Sequence, residues 1–157
     1  MGLIREYRPE DAEEVKACIV ELQDFCKQID SQIADGRTVA DKYLSYLLEQ
    51  CAAAEGQIFV VEHDHQVIGM ICVLARVQSE AVDEEDYEYA YISDLVVLGS
   101  DRNKGVGRSL LKRAEEHARS KGAKLLRINV HEGNDVARQL YAGYGFTTKV
   151  LTMQKEI

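Results

Sequence analysis

Residues 94–111 read DLVVLGSDRNKGVGRSLL, which predicts a buried strand, a short loop containing glycine, and an amphipathic helix. Along the helix, apolar residues recur every three or four positions on one face, whereas charged residues occupy the other. The apolar stripe consists of Val106, Leu110, Leu111, Ala114 and Ala118. The sequence therefore predicts a strand–loop–helix unit with its glycines at the junction.

The start of this helix is predicted to bind an anion. Gly105 and Gly107 let the backbone approach a ligand closely and leave the first amide N–H groups of the helix uncovered. The helix dipole adds partial positive charge at the same place, and Arg102 and Lys104 stand beside it. Together these features indicate a site for a phosphate or a pyrophosphate.

Two common phosphate-binding motifs are excluded by the residues around these glycines. A nucleotide-hydrolysing P-loop needs Gly-Lys followed by Ser or Thr, but Val106 follows Gly105 and Arg108 follows Gly107. A dinucleotide fingerprint needs a third glycine where Leu110 stands. The pattern that remains is R-x-x-G-x-G. It is short, and an ordinary helix start after a glycine-rich turn accounts for it equally well.

Composition limits the class of protein. The chain has 157 residues, 46% hydrophobic and 29% charged, which fits one globular domain over residues 1–157. Its net charge of −8 argues against nucleic acid as a partner. No apolar run reaches the roughly 20 residues of a membrane span, and the N-terminus has no apolar signal core. We therefore expect a cytoplasmic protein without a membrane partner.

No metal site is expected from the cysteines and histidines. His63 and His65 are two residues apart but lack a third ligand, so an exposed turn is the favoured interpretation. The four cysteines show no C-x-x-C spacing, and we expect them to be reduced, small, buried side chains. They are Cys18, Cys26, Cys51 and Cys72.

Periodicity along the chain predicts one mixed α/β layer without repeats or linkers. The predicted strands are residues 4–7, 58–62, 67–77, 89–97, 125–130 and 147–153. The predicted helices start at Pro9, after Thr38 as N-cap, at Val106 and after Asn134, and they end near Ile29, Gly56, Lys121 and Gly145.

Six acidic residues lie between residues 79 and 88, directly before the central strand. Two interpretations stay open. The run is a solvated, mobile loop, as most charge runs are, or it is an acidic lip that attracts a cationic ligand.

The central strand carries one acid among apolar residues. Simple alternation places Asp94 on the same face as Glu88, Ala90, Ile92 and Val96. The other face carries Tyr89, Tyr91, Ser93, Leu95 and Val97. Burying an unpaired carboxylate is costly, so Asp94 is expected to be either paired or functional.

Two motifs in the right order resemble the GCN5-related N-acetyltransferase (GNAT) family. The strand–RNKGVG–helix unit is similar to the acetyl-CoA loop of that family. About thirty residues later, Asn134, Ala137, Leu140, Tyr141 and Gly145-Phe146 are similar to its N-x-x-A-x-x-L-Y-x-x-x-G-F signature. The resemblance spans essentially the whole chain. It implies a mixed, mostly antiparallel central sheet with splayed central strands, flanked by about four helices.

The resemblance further implies that acetyl-CoA is the co-substrate, without a metal. The pantetheine arm would pair with the first splayed strand at Leu95, Val96 and Val97, and Asn134 and Ala137 would contact the cofactor. The pyrophosphate would lie on the amides of the loop and helix start. Those residues are Arg102, Asn103, Lys104, Gly105, Val106, Gly107 and Arg108.

Tyr141 corresponds to the family's general acid, which protonates the sulfur of coenzyme A. A phenol carries a proton at neutral pH, although a purely packed aromatic is the alternative. A primary amine has a pKa near 10 and must lose a proton before it attacks. Asp94 and Glu88 are the candidate bases. Ser93 stands where some relatives have Glu, so Asp94 is alternatively a binding group for the ammonium.

Two classes of function follow. The first is an acetyl-CoA-dependent N-acetyltransferase that acts on a small cationic amine or, alternatively, on a protein or peptide amine. The second is a non-catalytic module that binds coenzyme A as a ligand or sensor. In either case the expected partner is a small molecule, and the resemblance suggests a homodimer.

Overall fold

The computed structural model describes residues 2–102 and 104–157. Its strands are β1 (Leu3–Glu6), β2 (Gln57–His63), β3 (Gln66–Gln78), β4 (Glu88–Val97) and β5 (Leu126–Ile128). Its helices are α1 (Ala12–Ile29), α2 (Gly36–Ala53), α3 (Val106–Ser120) and α4 (Asp135–Tyr144). The strands form a sheet in the order β1-β2-β3-β4-β5. Neighbouring strands are antiparallel except for the parallel pair β4–β5, which confirms the predicted fold class.

Helices cover both faces of the sheet. On one face, α1 and α2 bury Ile19 and Leu47 against Val60 and Met70. On the other face, α3 and α4 bury a second cluster, which includes Phe59, Ile71, Leu110, Leu111 and Tyr141. Because β2 and β3 are covered on both sides, their sequences are nearly continuous apolar runs instead of alternating ones.

Helix α2 begins earlier than predicted. Asp35, and not Thr38, is the N-cap, because its carboxylate accepts a hydrogen bond from the Arg37 amide at 3.0 Å. Gly36 follows directly and lies against α1. A Cβ atom at this position would be 2.7 Å from the Cα of Val20. The glycine therefore serves helix–helix contact at a position that the sequence suggested was loop.

The strand predicted at residues 147–153 was wrong. In the part of the chain that the structure describes, these residues form no strand, and all of them are exposed. Val150, Leu151 and Met153 are 73%, 75% and 91% exposed. Apolar residues near each other do not suffice for a strand, since a strand also needs a neighbouring edge to supply hydrogen bonds. The nearest candidate, β5, covers only residues 126–128 instead of the predicted 125–130.

A bulge in β4 changes which face its side chains occupy. Val73 of β3 pairs with Ile92, but the preceding residue, Cys72, pairs with Asp94, so Ser93 is an extra residue on β4. Such an insertion reverses the alternation of side chains beyond it. The predicted common face was therefore wrong. Ile92 packs in the α3 cluster, whereas Val96 packs in the cluster under α1 and α2.

Candidate functional site

An opening in the sheet lies beside the second half of β4. Strand β5 pairs with β4 at Ala90, Tyr91 and Ile92. Beyond this point, within the described chain, residues 93–97 keep β3 as their strand partner and have none on the β5 side. The backbone groups that point to that side are thus available to a ligand, apart from the Val97 carbonyl, which accepts a hydrogen bond from the Arg102 side chain. This is the splayed arrangement that the sequence resemblance implied for Leu95, Val96 and Val97.

The first turn of α3 lies just beyond the end of β4. Gly105 is the N-cap with φ = +79°, a left-handed conformation that suits glycine, and among the described residues no side chain caps the helix. The first bond of the helix runs from the Ser109 amide to the Gly105 carbonyl at 3.1 Å. The amides of Val106, Gly107 and Arg108 precede this bond, so their N–H groups lack an intrahelical acceptor.

Basic side chains surround this helix start unevenly. The Arg102 Nε donates a hydrogen bond to the Val97 carbonyl at 2.9 Å, which ties the loop to the end of β4. Lys104 lies 3.8 Å from an oxygen of Asp101. The Arg108 side chain instead extends toward α4 and donates to the Gly143 carbonyl at 3.3 Å.

Two of the predicted cofactor contacts, Arg108 and Asn103, need separate comment. For Arg108, the backbone amide at the helix start remains the group available to an anion, because its side chain is engaged with α4. Asn103, which was also predicted to contact the cofactor, lies outside the residues that the structure describes.

Helix α4 closes the other side of the opening. The Asn134 side chain caps it by accepting a hydrogen bond from the Ala137 amide at 3.1 Å. Gly107 allows α3 to approach α4, since a Cβ atom there would be 3.1 Å from the Leu140 Cδ2. Both motifs that the sequence singled out therefore meet at one helix–helix contact beside β4.

Tyr141 projects from α4 into a buried position. It is 9% exposed, and its ring lies edge-on to Phe146 with centroids 5.9 Å apart. Its hydroxyl donates no hydrogen bond to another described residue. Burial raises the pKa of Tyr141 to about 12, with smaller contributions from Cys26 and the charge of Asp94. The phenol is therefore protonated at neutral pH and close enough to Asp94 to be influenced by its charge.

Asp94 follows the bulge and is 7% exposed. Its Oδ1 accepts a hydrogen bond from the Tyr43 hydroxyl at 2.7 Å. Its Oδ2 is buried and has no hydrogen-bond partner among the described residues. Burial raises the pKa of Asp94, and the hydroxyl of Tyr43, followed by that of Ser93, partly offsets this effect. A carboxylate with one satisfied oxygen and one bare oxygen is a costly arrangement that usually has a functional reason.

Glu88, the other candidate base, lies elsewhere. It is six residues before Asp94 on β4, about 20 Å away along an extended strand. Its carboxylate forms an ion pair with Arg76 at 3.0 Å, and that hydrogen-bonded pair lowers the pKa of Glu88. The charge of Asp94 therefore influences Tyr141, whereas Glu88 is paired with Arg76 at the start of β4.

Sequence reasoning missed Tyr43, the residue that bonds Asp94. The sequence places Tyr43 on the second predicted helix but gives no sign of a partner 51 positions away. The only available signal was chemical, because a buried acid on β4 requires a donor and a tyrosine on an inner helix face can supply one.

The described residues contain no group of three or more His, Cys, Asp or Glu side chains that could hold a metal ion. All four cysteines are free, and the sulfur atoms of Cys51 and Cys72 are 3.6 Å apart. Nor does any helix in residues 2–102 and 104–157 have the length and apolar character needed to cross a bilayer.

Replacing Asp94 by Asn is expected to stabilise the fold at neutral pH. The raised pKa means that the folded state prefers the protonated acid. Stability is thus lost as pH rises from the unfolded-state pKa, about 3.9, through the raised folded value. An amide of the same shape avoids this cost. We expect Asp94→Asn to gain about 1–3 kcal/mol in unfolding free energy at pH 7, with the gain vanishing below about pH 4.

Urea unfolding of both proteins at pH 7 and pH 3.5 measures this difference. The matched control is Glu88→Gln, which alters an exposed, ion-paired acid on the same strand and lacks the burial cost. A loss of stability in Asp94→Asn at pH 7 would contradict the description of Asp94 as a strained buried acid.

Comparison with known proteins agrees with this geometry. The chain matches the Acetyltransferase (GNAT) family over residues 19–146. The N-acetyltransferase YhfO of Bacillus subtilis is 27% identical over 143 residues, which cover 91% of this chain and 88% of that protein. GCN5-related N-acetyltransferase 6, chloroplastic, of Arabidopsis thaliana is 38% identical over 63 residues, or 40% of this chain. This chain spans only 22% of that plant protein's length.

A solved structure shares the fold over its whole length. The aminoglycoside N-acetyltransferase AAC(6')-Iy in complex with CoA superposes with a TM-score of 0.70 at 16% identity, covering 99% of this chain and 100% of that chain. The family match includes β4, the start of α3, and α4 with Tyr141, which are the parts that form the opening. The chain therefore belongs to the GNAT acetyltransferase family.

Proposed function

We propose that this protein transfers an acetyl group from acetyl-CoA to the primary amine of a small cationic acceptor. One set of observations carries the proposal: Asp94, a buried carboxylate with a bare oxygen, lies on β4 just beyond the residues that pair with β5, and its charge influences Tyr141, a protonated phenol on α4. Acetyl transfer to an ammonium needs one group that accepts a proton and another that donates one. Asp94 and Tyr141 are suited to these opposite roles.

The residues around the opening fit acetyl-CoA. Uncapped amides at the start of α3 suit a diphosphate, because they present N–H donors at the positive end of the helix dipole. Arg102 and Lys104 add positive charge beside them. The unpaired side of residues 93–97 suits the amide groups of a pantetheine arm. When bound, acetyl-CoA supplies the acetyl thioester for the reaction.

The proposed reaction forms one N–C bond and breaks one C–S bond. The nitrogen loses two protons, one of which Asp94 accepts before the amine attacks. Tyr141 donates its phenolic proton to the departing sulfur and is then reprotonated. An N–H group on the unpaired side of β4 would stabilise negative charge on the carbonyl oxygen. The proton balance leaves an acetamide, a free thiol and one proton in solution.

Three features favour a cationic acceptor. The net charge of −8 attracts cations at long range. The acidic run forms the loop between β3 and β4, where Glu84 contacts Lys149 and hydrogen-bonds Tyr87. In addition, one solved structure of the same fold is an aminoglycoside N-acetyltransferase. We infer that the acidic loop increases the association rate of polycationic amines.

Thiol release from acetyl-CoA with a panel of amines tests the proposed function. We expect turnover with at least one polyamine, aminoglycoside or amino-acid ester, and a larger kcat/KM for dications than for monocations. That preference should shrink several-fold between low salt and 0.5 M salt, since salt screens exposed charges. A panel of basic peptides separates small-molecule from protein acceptors.

Three results would each overturn one part of the proposal. Tight acetyl-CoA binding with no thiol release from any amine would indicate a coenzyme A-binding module instead of an enzyme. Turnover restricted to peptides would move the acceptor class from small molecules to proteins. Equal, salt-independent kcat/KM values for neutral and dicationic amines would remove the role given to the acidic loop.

A further inference from the structure

We propose that Tyr43 is a positioning residue for the reaction, which holds Asp94 by one oxygen so that the other receives the acceptor's ammonium. This inference rests on the proposed function and adds to it a residue outside both sequence motifs. It also specifies which atom of the carboxylate meets the substrate.

Tyr43 is a permanently available donor. Its ring packs on α2 against Tyr46, with centroids 6.1 Å apart and the planes 26° from parallel. It also packs against the buried cluster under α1 and α2. Burial, and then the charge of Asp94, raise the pKa of the Tyr43 phenol far above its usual value. The hydroxyl therefore keeps its proton at neutral pH, and it donates a hydrogen bond to the Asp94 Oδ1 at 2.7 Å.

The hydrogen bond makes the two carboxylate oxygens different. An ionised carboxylate accepts hydrogen bonds at both oxygens and rotates freely unless one is fixed. With Oδ1 bound to Tyr43, rotation of the group is restricted. The remaining oxygen, Oδ2, is buried and has no partner within the described chain. Pre-organisation of this kind lowers the cost of binding a ligand at the bare oxygen.

The surroundings of Asp94 lack an opposite charge. The titratable groups near it belong to every adjoining element, and each is neutral when protonated: they are Cys26 on α1, Tyr43 and Cys51 on α2, Cys72 on β3, Tyr91 on β4 and Tyr141 on α4. No lysine, arginine or histidine contributes to the pKa of Asp94. An ammonium at Oδ2 would supply the missing positive charge and a hydrogen bond together.

The proton step is then local. The ammonium N–H bond breaks and an O–H bond forms at Oδ2, which leaves a neutral amine with a free electron pair and an uncharged carboxylic acid. The raised pKa of Asp94 makes the group a stronger base than an exposed aspartate. Tyr43 limits that rise by stabilising the ionised form, so that the carboxylate is still charged when the substrate arrives.

Tyr43→Phe separates this role from packing. The substitution keeps the ring and removes the hydroxyl, so the pKa of Asp94 is expected to rise further. The acid limb of the pH profile of kcat/KM should move to higher pH by roughly one unit. At the pH where the wild-type acid limb has its midpoint, kcat/KM of the variant should therefore be several-fold lower than that of the wild type. Its affinity for acetyl-CoA should be unchanged. The matched control is Tyr46→Phe, whose ring neighbours Tyr43 but makes no hydrogen bond to Asp94; its profile should superpose on that of the wild type.

The pH titration of the Asp94 carboxyl carbon, followed by ¹³C NMR in the wild type and in Tyr43→Phe, tests the inference independently of turnover. We expect the midpoint of this titration to lie at higher pH in Tyr43→Phe than in the wild type. The Asp94 resonance is identified by its absence from the spectrum of Asp94→Asn. Identical titrations in the two proteins would overturn the inference, even if the wild type acetylates no amine and the proposed function has failed. A shifted titration with an unshifted acid limb would overturn it too, because the hydrogen bond would then be structural only.

Discussion

Tyr141→Phe is expected to lower kcat by about 10²-fold, because removing a general acid typically costs that much or more. The phenyl ring keeps the edge-on contact with Phe146, so the fold should change little. Affinity for acetyl-CoA should stay within a factor of two or so of the wild-type value, since the hydroxyl is needed when sulfur departs and not when the cofactor binds. Steady-state kinetics combined with calorimetric titration of acetyl-CoA measure both quantities.

The matched control for this change is Tyr144→Phe. Tyr144 lies one turn later on the same helix, but its hydroxyl donates to Glu115 at 2.7 Å and not into the opening. Its loss should leave kcat unchanged and lower stability slightly. If both variants, or neither, lose turnover, then the acid is a different group.

Gly105→Val is expected to weaken acetyl-CoA binding by at least tenfold. Glycine at φ = +79° directs the first amides of α3, and a β-branched residue avoids that conformation. The strain should cost about 1–2 kcal/mol of folding stability. More importantly, any relaxation of the loop turns the amides of Val106 and Gly107 away from a bound diphosphate. Binding of coenzyme A, measured by calorimetry, reports the effect directly.

Gly122→Val provides the control, since it places the same strain at the other end of the same helix. Gly122 has φ = +90° and, like Gly105, has no atom within 4 Å of a would-be Cβ. Both variants should lose comparable stability in thermal unfolding, but only Gly105→Val should lose affinity. Equal affinity losses in the two variants would mean that helix stability, and not the amide array, governs binding.

The sequence identifies the opening better than it identifies the chemistry inside it. The glycines of RNKGVG and the residues Asn134 and Tyr141 are local signals, because each serves a helix end or one helix face within a few positions. Such signals are readable without knowing the rest of the fold. The family resemblance that these residues carry implied a site built from a strand, a helix start and the helix with Tyr141.

The remaining parts depend on contacts between distant segments. The bulge at Ser93 has no signature in the residues themselves, and it alone puts Asp94 on the face of α2. The hydrogen bond between Asp94 and Tyr43 depends on that bulge, so it could not be predicted from the sequence while the bulge was unknown. The predicted final strand failed for the same reason. Alternation describes what a strand could bury, whereas pairing depends on an edge supplied from elsewhere.

A crystal structure with coenzyme A bound tests the central claim most directly. The account predicts the diphosphate on the amides of residues 105–108 and the sulfur within about 4 Å of the Tyr141 hydroxyl, on the unpaired side of β4. A diphosphate bound elsewhere, or a sulfur remote from Tyr141, would contradict it.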